Sequence, residues 1–302
     1  MFERLGIITN CWRKSLDRGE QFEDLVEAFC RKGFREIEIR DGDYLRQSSV
    51  GRFLDEIEKI TPEYDPADWR EISDRIHERG GWQHLVHPMD LPRLKEAERL
   101  VDRTKGAFFS YAITHPWLSR RTDIDVDNRL VTAGVGFAYL MNPRCPRFRL
   151  VSLEPIEDLD AEAAVKNLVR YGELARRARA EFTVENARHA ADVIHRLALS
   201  GGALLTYDEA NNYRLDGTEL SNSRKFRLGL RKEDIASVHM KQKGEKGVSP
   251  HVHDGYVDLG GVLAHLREIG YSGDLLLEFA PTDDPLAVAV ESRDYLNRMF
   301  GG

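Results

Sequence analysis

The hydrophobic residues of this chain fall into short apolar runs that alternate with stretches of helical periodicity. The first run, LGIIT, precedes apolar residues at the helical spacing of Phe22, Leu25, Val26 and Phe29, and the strand-like run REIEIR follows. The alternation continues through the strand-like runs AFFSYAIT, FRLVSL, FTVEN, ALLTYD, IASVHMK and DLLLEF. We therefore predict eight strands separated by helices.

This alternation indicates a closed parallel barrel. Strands that alternate with helices pair in parallel through right-handed crossovers, and eight such units in 302 residues suit a barrel better than an open sheet. An open nucleotide-binding sheet is disfavoured because GIITNCWRKS, after the first strand, contains neither glycine-rich phosphate motif. We predict an α/β fold, a (β/α)8 or TIM barrel, formed by residues 1–302 as a single domain. The irregular stretches 42–66, 115–125 and 242–256 are expected to be long loops on its active-site face.

Composition and charge narrow the class of protein. The chain is 41% hydrophobic and 31% charged, as in globular proteins with a sizeable core. Its net charge is -7, and its lysines and arginines form no long basic run. We expect no nucleic-acid partner. Three cysteines, Cys11, Cys30 and Cys145, are too few and too far apart for a disulfide framework. The N-terminus resembles neither a signal peptide nor a membrane span, so we expect a cytoplasmic protein without membrane contact.

Four strands of the second half each end in a residue able to bind a metal: Glu185, Asp208, His239 and Glu278, at intervals of 23, 31 and 39 residues. Successive side chains of a strand face opposite ways. In each of the four strands the apolar neighbours take one face, so the polar residue points into the barrel. The four side chains are therefore predicted to meet at its C-terminal end.

Three carboxylates and one imidazole suit one divalent ion with open water positions, Mn²⁺ by preference and Mg²⁺ or Co²⁺ as alternatives, better than a structural zinc. Such an ion can polarise a carbonyl, while Glu185 and Glu278 take and return the neighbouring proton. Taken singly, each acid is more often a helix cap, a loop hydrogen-bonder or a surface charge. Four matching side-chain orientations favour the metal site.

Further candidates lie at the same rim. His115 is a candidate second base and Trp117 a stacking surface, with a packed His-Pro turn as the alternative. Lys241 follows His239 by two residues, so it faces inward, where it is a candidate to stabilise an enolate or bind a carboxylate, with a buried ion pair to Glu38 or to the neighbours of Arg40 as the alternative. Additional predicted substrate contacts are Asn10, Trp12, His251 and His253.

At these residues the chain resembles the xylose isomerase-like TIM-barrel superfamily, which includes sugar isomerases and epimerases, inosose dehydratase and endonuclease IV. The stretch VHMKQKGEKGVSPHVHDGYVDLGGVLAHLREIGYSGDLLLEF is similar to that family's seventh and eighth strand unit, and VEN and YDEAN are similar to its fifth and sixth strand ends. The resemblance extends from about residue 148 to 300. It implies that Glu185, Asp208, His239 and Glu278 are metal ligands, with Glu185 and Glu278 as the acid/base pair.

One departure from the resemblance bears on the reaction. Many ketose epimerases carry a substrate-contacting His three residues after the sixth-strand Asp, whereas this chain has Asn211, which can bind a hydroxyl but cannot shuttle protons near neutral pH. Simple ketose 3-epimerisation is thereby put in doubt.

Three functions remain open at this point. The leading hypothesis is a metal-dependent sugar isomerase or epimerase that works through an enediolate. The rival is a lyase, either a sugar or inosose dehydratase or the catalytic subunit of a C-glycoside deglycosidase acting on 3-oxo-glycosides, because elimination begins with the same proton removal. A non-catalytic barrel ranks third, since all four ligands are present. The expected partner is a small sugar or glycoside, with a homo-oligomer or a partner subunit as further possibilities.

Overall fold

The computed structural model describes residues 4–44, 99–100, 102–104, 107–115, 118–119, 124–142, 144–187, 191–220 and 223–301. Within these ranges, eight parallel strands close into one barrel in the order β1-β10-β7-β6-β5-β4-β3-β2. The barrel strands are β1 (Leu5–Ile8), β2 (Glu36–Arg40), β3 (Phe108–His115), β4 (Arg147–Ser152), β5 (Glu181–Glu185), β6 (Leu204–Asp208), β7 (Ile235–Met240) and β10 (Asp274–Leu277). The predicted (β/α)8 barrel is confirmed.

Helices follow the strands around the outside of this barrel. The described helices are α1 (Arg13–Asp17), α2 (Phe22–Arg31), α3 (Ile124–Met141), α4 (Ala161–Arg177), α5 (Ala191–Ser200), α6 (Ser223–Leu228), α7 (Leu259–Glu268) and α8 (Pro285–Gly301). The apolar core lies between them and the strands, because residues such as Phe148, Phe182, Val184 and Leu205 face outward from the sheet and are buried. None of the described helices is long and apolar enough to cross a membrane.

The structure differs from the sequence prediction in three places. The predicted loop 242–256 contains a small antiparallel hairpin, β8 (Lys243–Gly244) and β9 (Gly247–Val248), closed by Gly247 at a positive φ of 112°. The stretch SNSRKFRLGL, which the sequence predicts to be irregular, contains the short helix α6. Glu278 lies just beyond the last residue of β10 rather than within the strand. Most of the predicted loop 42–66 and much of 115–125 lie outside the described residues.

The inside of the barrel is unusually polar. Bulky aliphatic side chains fill most barrels of this type, but here the strands point charged and hydroxyl side chains inward. At the N-terminal end, Arg4, Glu36, Arg147 and Asp274 form a group that we call the N-terminal network. Above it, the hydroxyls of Thr183, Thr206 and Ser237 form a hydrogen-bonded row across β5, β6 and β7.

Candidate metal centre

The side chains of Glu185, Asp208, His239 and Glu278 converge at the C-terminal end of the barrel, and we call them the ligand cluster. Each offers one ligand atom, and these four atoms lie within 4.8 Å of one another. The parallel pairing of the strands produces this convergence. Asp208 of β6 is the direct partner of His239 on β7, and Glu185 of β5 is the partner of Thr206, two residues before Asp208. The cluster is therefore positioned by the strands themselves.

His239 is the centre of the cluster. Its Nδ1 lies 3.2 Å from Glu278 Oε2, 3.5 Å from Glu185 Oε1 and 3.9 Å from Asp208 Oδ2. The imidazole is fully buried, yet neither ring nitrogen makes a well-aligned hydrogen bond to any described residue. A buried nitrogen without a hydrogen bond, facing three carboxylates, is the arrangement expected of a metal ligand.

Two buried cations pair with the carboxylates of the cluster. Lys241 contacts Asp208 closely and places its Nζ 3.0 Å from Glu278 Oε2. Arg149, on β4, contacts Glu185 and donates from Nη2 to Glu38 Oε1 at 2.6 Å. Glu38, on β2, in turn lies 3.6 Å from the Nε2 of His239. Lys241 thus forms buried ion pairs, as in the alternative interpretation of this residue, but with Asp208 and Glu278 rather than with Glu38.

The charges of this group do not cancel. Glu38 and the cluster contribute four carboxylates, whereas Arg149 and Lys241 are the two cations paired with them among the described residues. Unpaired buried charge is strongly unfavourable. With His239 neutral, as a metal ligand must be, the surplus of two negative charges is what one divalent cation would neutralise, so the donor set and the charge both fit a metal ion.

The pKa values of the group reflect this surplus. Burial, together with the carboxylates of Glu278 and Glu185, raises the pKa of Asp208 to about 6 against the opposing charge of Lys241. Burial favours neutral His239, but Glu185, Glu278 and Glu38 raise the pKa of the ring well above its usual value. Burial also opposes ionisation of Glu38, yet Arg149 and His239 lower its pKa to about 2. The negative charges therefore attract a cation.

Two asparagines orient the ligand carboxylates. Asn211 donates from Nδ2 to Glu185 Oε1 at 3.0 Å and to Asp208 Oδ2 at 2.9 Å. Asn10 donates from Nδ2 to Glu278 Oε1 at 3.2 Å. The other oxygen of Asp208 accepts the backbone N–H of Ala210 and caps the short 3-10 turn that carries Asn211. Both asparagines, predicted as substrate contacts, thus also hold the ligands in place.

A cavity of about 180 Å³ opens beside the cluster. Its wall contains Glu185, Glu278 and Lys241 together with both asparagines. The remaining lining residues are Ile8, Arg40, Ala112, Ile113, Thr114, Arg149, Val151 and Ala187. The wall formed by β2, β3 and β4 is partly apolar and the opposite wall is charged, as in sites that bind a small polar ligand.

Solved structures with the same architecture cover nearly the whole chain. A xylose isomerase domain-containing protein from Salmonella typhimurium LT2 superposes with a TM-score of 0.64 at 12% identity, over 98% of this chain and 97% of that one. A D-allulose 3-epimerase from Methylomonas sp. superposes with a TM-score of 0.63 at 13% identity, over 98% and 97% of the two chains. The chain has the same (β/α)8-barrel fold as these proteins.

Another solved structure with this architecture contains a metal. An IolI protein, solved with a zinc atom, superposes with a TM-score of 0.58 at 13% identity, over 98% of this chain and 96% of that one. No protein-family model matches the sequence. No curated protein matches it either. At these identities the structural likeness establishes the fold.

Three of the predicted site residues lie away from the cavity wall. Trp12 is fully buried and packs its indole against Phe22 and Phe29, so it belongs to the core under the first loop rather than to the cavity wall. The described cavity wall does not include His251 or His253, which instead face Glu291 of α8.

Two predicted rim residues are not placed by the structure. The backbone of His115 ends β3, as predicted, but its side chain is outside what the structure describes, and Trp117 lies outside the described residues.

Sequence reasoning missed Arg149 as a member of the site and named Glu38 only as an ion-pair partner for Lys241. Both lie on strands of the first half, where EIEIR places Glu36 and Glu38 on one face and RFRLVS places Arg147 and Arg149 on one face. The alternation test that identified the ligand cluster would have marked these residues as inward-facing, had it been applied to β2 and β4.

Proposed function

We propose that the protein is a divalent-metal-dependent isomerase or epimerase that moves a proton next to the carbonyl of a small sugar. The observation that carries this proposal is the convergence of the ligand cluster on the wall of a cavity, at the barrel end where this fold places active sites. The names of similar structures support it, since one is a D-allulose 3-epimerase and another was solved with zinc.

Glu185, Asp208, His239 and Glu278 would hold the ion. Mn²⁺ is our preferred metal, with Mg²⁺ or Co²⁺ as alternatives, because three of the four donors are carboxylates. When bound, such an ion supplies Lewis-acid polarisation of the substrate carbonyl, which acidifies the adjacent C–H.

Glu185 and Glu278 are the proposed acid/base pair. Both line the cavity, and despite burial the pKa of each is lowered, for Glu185 by Arg149 and His239 and for Glu278 by Lys241 and His239. Both are therefore ionised near neutral pH and able to accept a proton. One carboxylate would remove the proton from carbon, and the other would return one that it first takes up from water, so that substrate and product differ only in the position or configuration of a hydrogen.

Lys241 has a different role in this scheme. Burial opposes its charge, but Asp208 and Glu278 raise its pKa, so it stays protonated and cannot act as a base. Its ammonium lines the cavity, where it would stabilise negative charge that develops on the substrate oxygen. Asn10 and Asn211, also in the wall, would donate hydrogen bonds to substrate hydroxyls.

The deciding experiment is hydrogen exchange in D₂O. Mn²⁺-loaded protein is incubated with a panel of ketoses, inososes and 3-oxo-glycosides, and products are followed by mass spectrometry. Deuterium in a product isomeric with its substrate is the expected result. Loss of water or release of an aglycone would instead establish the lyase alternative.

Three variants test the assigned roles. Glu185→Gln and Glu278→Gln should each lower the exchange rate by about 10²–10⁴-fold, because glutamine has nearly the shape of glutamate but cannot take up the proton. Glu162→Gln, an exposed helical glutamate, is the matched control and should exchange at the wild-type rate. Full exchange activity in both cavity variants would refute the acid/base assignment. Wild-type protein that takes up none of Mn²⁺, Mg²⁺ and Co²⁺ would refute the proposed function as a whole.

A further inference from the structure

A second group of metal-binding side chains lies outside the candidate metal centre. His251 and His253 belong to the loop between β9 and α7, and Glu291 lies on α8. One ligand atom from each of the three residues lies within 4.8 Å of the other two. The function proposed above uses none of them.

The geometry of this group is compatible with one ion. His251 Nδ1 lies 3.2 Å from Glu291 Oε2, and His253 Nδ1 lies 3.6 Å from Glu291 Oε1. Two ligands at about 2.1 Å from a tetrahedral zinc would be separated by about 3.4 Å. The two observed distances bracket that separation, and both imidazoles present the same nitrogen to the same carboxylate.

His251 provides a second, independent observation. Its Nδ1 is buried and makes no well-aligned hydrogen bond to any described residue, although the ring as a whole is 36% exposed. The backbone holds it in that position, since the His251 N–H donates to Ser249 Oγ and the Asp254 N–H donates to the His251 carbonyl. The nitrogen is thus fixed in place with its lone-pair direction unsatisfied.

We propose that His251, His253 and Glu291 form a second metal site that takes a borderline divalent transition ion such as Zn²⁺. Two imidazoles and one carboxylate favour zinc, nickel or copper over the hard ions that suit the ligand cluster. His253 and Glu291 are 39% and 50% exposed, so water can complete the coordination. A bound ion cross-links loop 249–256 to the C-terminal helix.

The test is a Zn²⁺ titration by calorimetry with metal analysis after gel filtration. The background is His239→Ala, which removes the central ligand of the candidate metal centre. This protein is expected to bind one Zn²⁺ per chain, and His239→Ala with His253→Ala is expected to bind none. Zn²⁺ should also slow proteolysis within loop 249–256 in the first protein and not in the second.

A second comparison uses the wild-type background, so that the test does not depend on correct folding of the His239 variant. Wild type should retain two Zn²⁺ per chain, and Glu291→Gln one. A matched control, Glu268→Gln, lies beside His265 on α7 and should retain two. Equal zinc content in wild type and Glu291→Gln would overturn the second site, whatever the outcome at the candidate metal centre. Loss of binding by His239→Ala alone concerns only the function proposed above, so the two failures are distinguishable.

Discussion

The two ends of the barrel interior both contain buried charges, but they balance them differently. In the N-terminal network, Arg147 Nη1 lies 3.0 Å from Glu36 and 2.8 Å from Asp274, and Arg4 lies 2.6 Å from Asp274. Two cations thus meet Asp274, Glu36 and the partly exposed Glu181. Burial together with Asp274 raises the pKa of Glu36 well above its usual value against the charge of Arg147, so the network is neutral when Glu36 is protonated. At the C-terminal end, four carboxylates meet two cations beside a cavity.

This difference in charge balance indicates a structural role for the N-terminal network and a binding role for the C-terminal end of the barrel. A charge group that neutralises itself can close the bottom of the barrel without a ligand, although it contributes modestly to net stability. A group with surplus negative charge and an open wall is stable only if a cation or protons join it. The C-terminal end is therefore built for binding at some cost in stability, as active sites commonly are.

The largest expected effect on stability comes from a substitution in the N-terminal network. Arg147→Met leaves Glu36 and Asp274 with Arg4 alone, and we expect it to lower the free energy of unfolding by about 3–5 kcal/mol. Urea denaturation measures this loss. Arg176→Met, on the exposed face of α4, is the control and should change stability by less than about 0.5 kcal/mol. A similar small change for Arg147→Met would contradict the structural role of the network.

A divalent metal ion should increase stability by binding at the C-terminal end of the barrel, where the ligand cluster lies. A divalent ion at a concentration about 100 times its dissociation constant should stabilise the wild type by about 2.7 kcal/mol, since it binds only the folded chain. His239→Ala should gain much less from Mn²⁺, because it loses the central ligand. Thermal melts with and without Mn²⁺ provide the comparison, and equal gains in both proteins would place the ion elsewhere.

The smallest expected effect on stability comes from removing one of the surplus negative charges of the ligand cluster. Asp208→Asn keeps the acceptor oxygen that caps the following turn but removes one of the excess negative charges. We expect the metal-free variant to be more stable than metal-free wild type by about 1 kcal/mol, because less unpaired charge is buried. Urea unfolding in the presence of a chelator measures the difference. A destabilised variant would show that the cluster is already balanced without an ion.

The fold and the ligand cluster were predictable because both follow from local periodicity. Alternation of strands and helices indicates a parallel barrel, and the period-two pattern of FTVEN, LLTYD and SVHMK assigns Glu185, Asp208 and His239 to the inner face. Periodicity did not reveal the tertiary partners of single residues. Trp12 was expected at the rim and lies in the core, because its direction depends on how the first loop packs against α2.

By itself, the sequence determined which face each side chain takes, since that face depends only on the backbone of its own strand. Tertiary structure decided which side chains meet across the barrel. Arg149 pairs with Glu38 from 111 positions away, and the histidines of loop 249–256 face Glu291 of the C-terminal helix. Closure of eight strands brings such residues together, and the balance of charge at each end exists only after that closure.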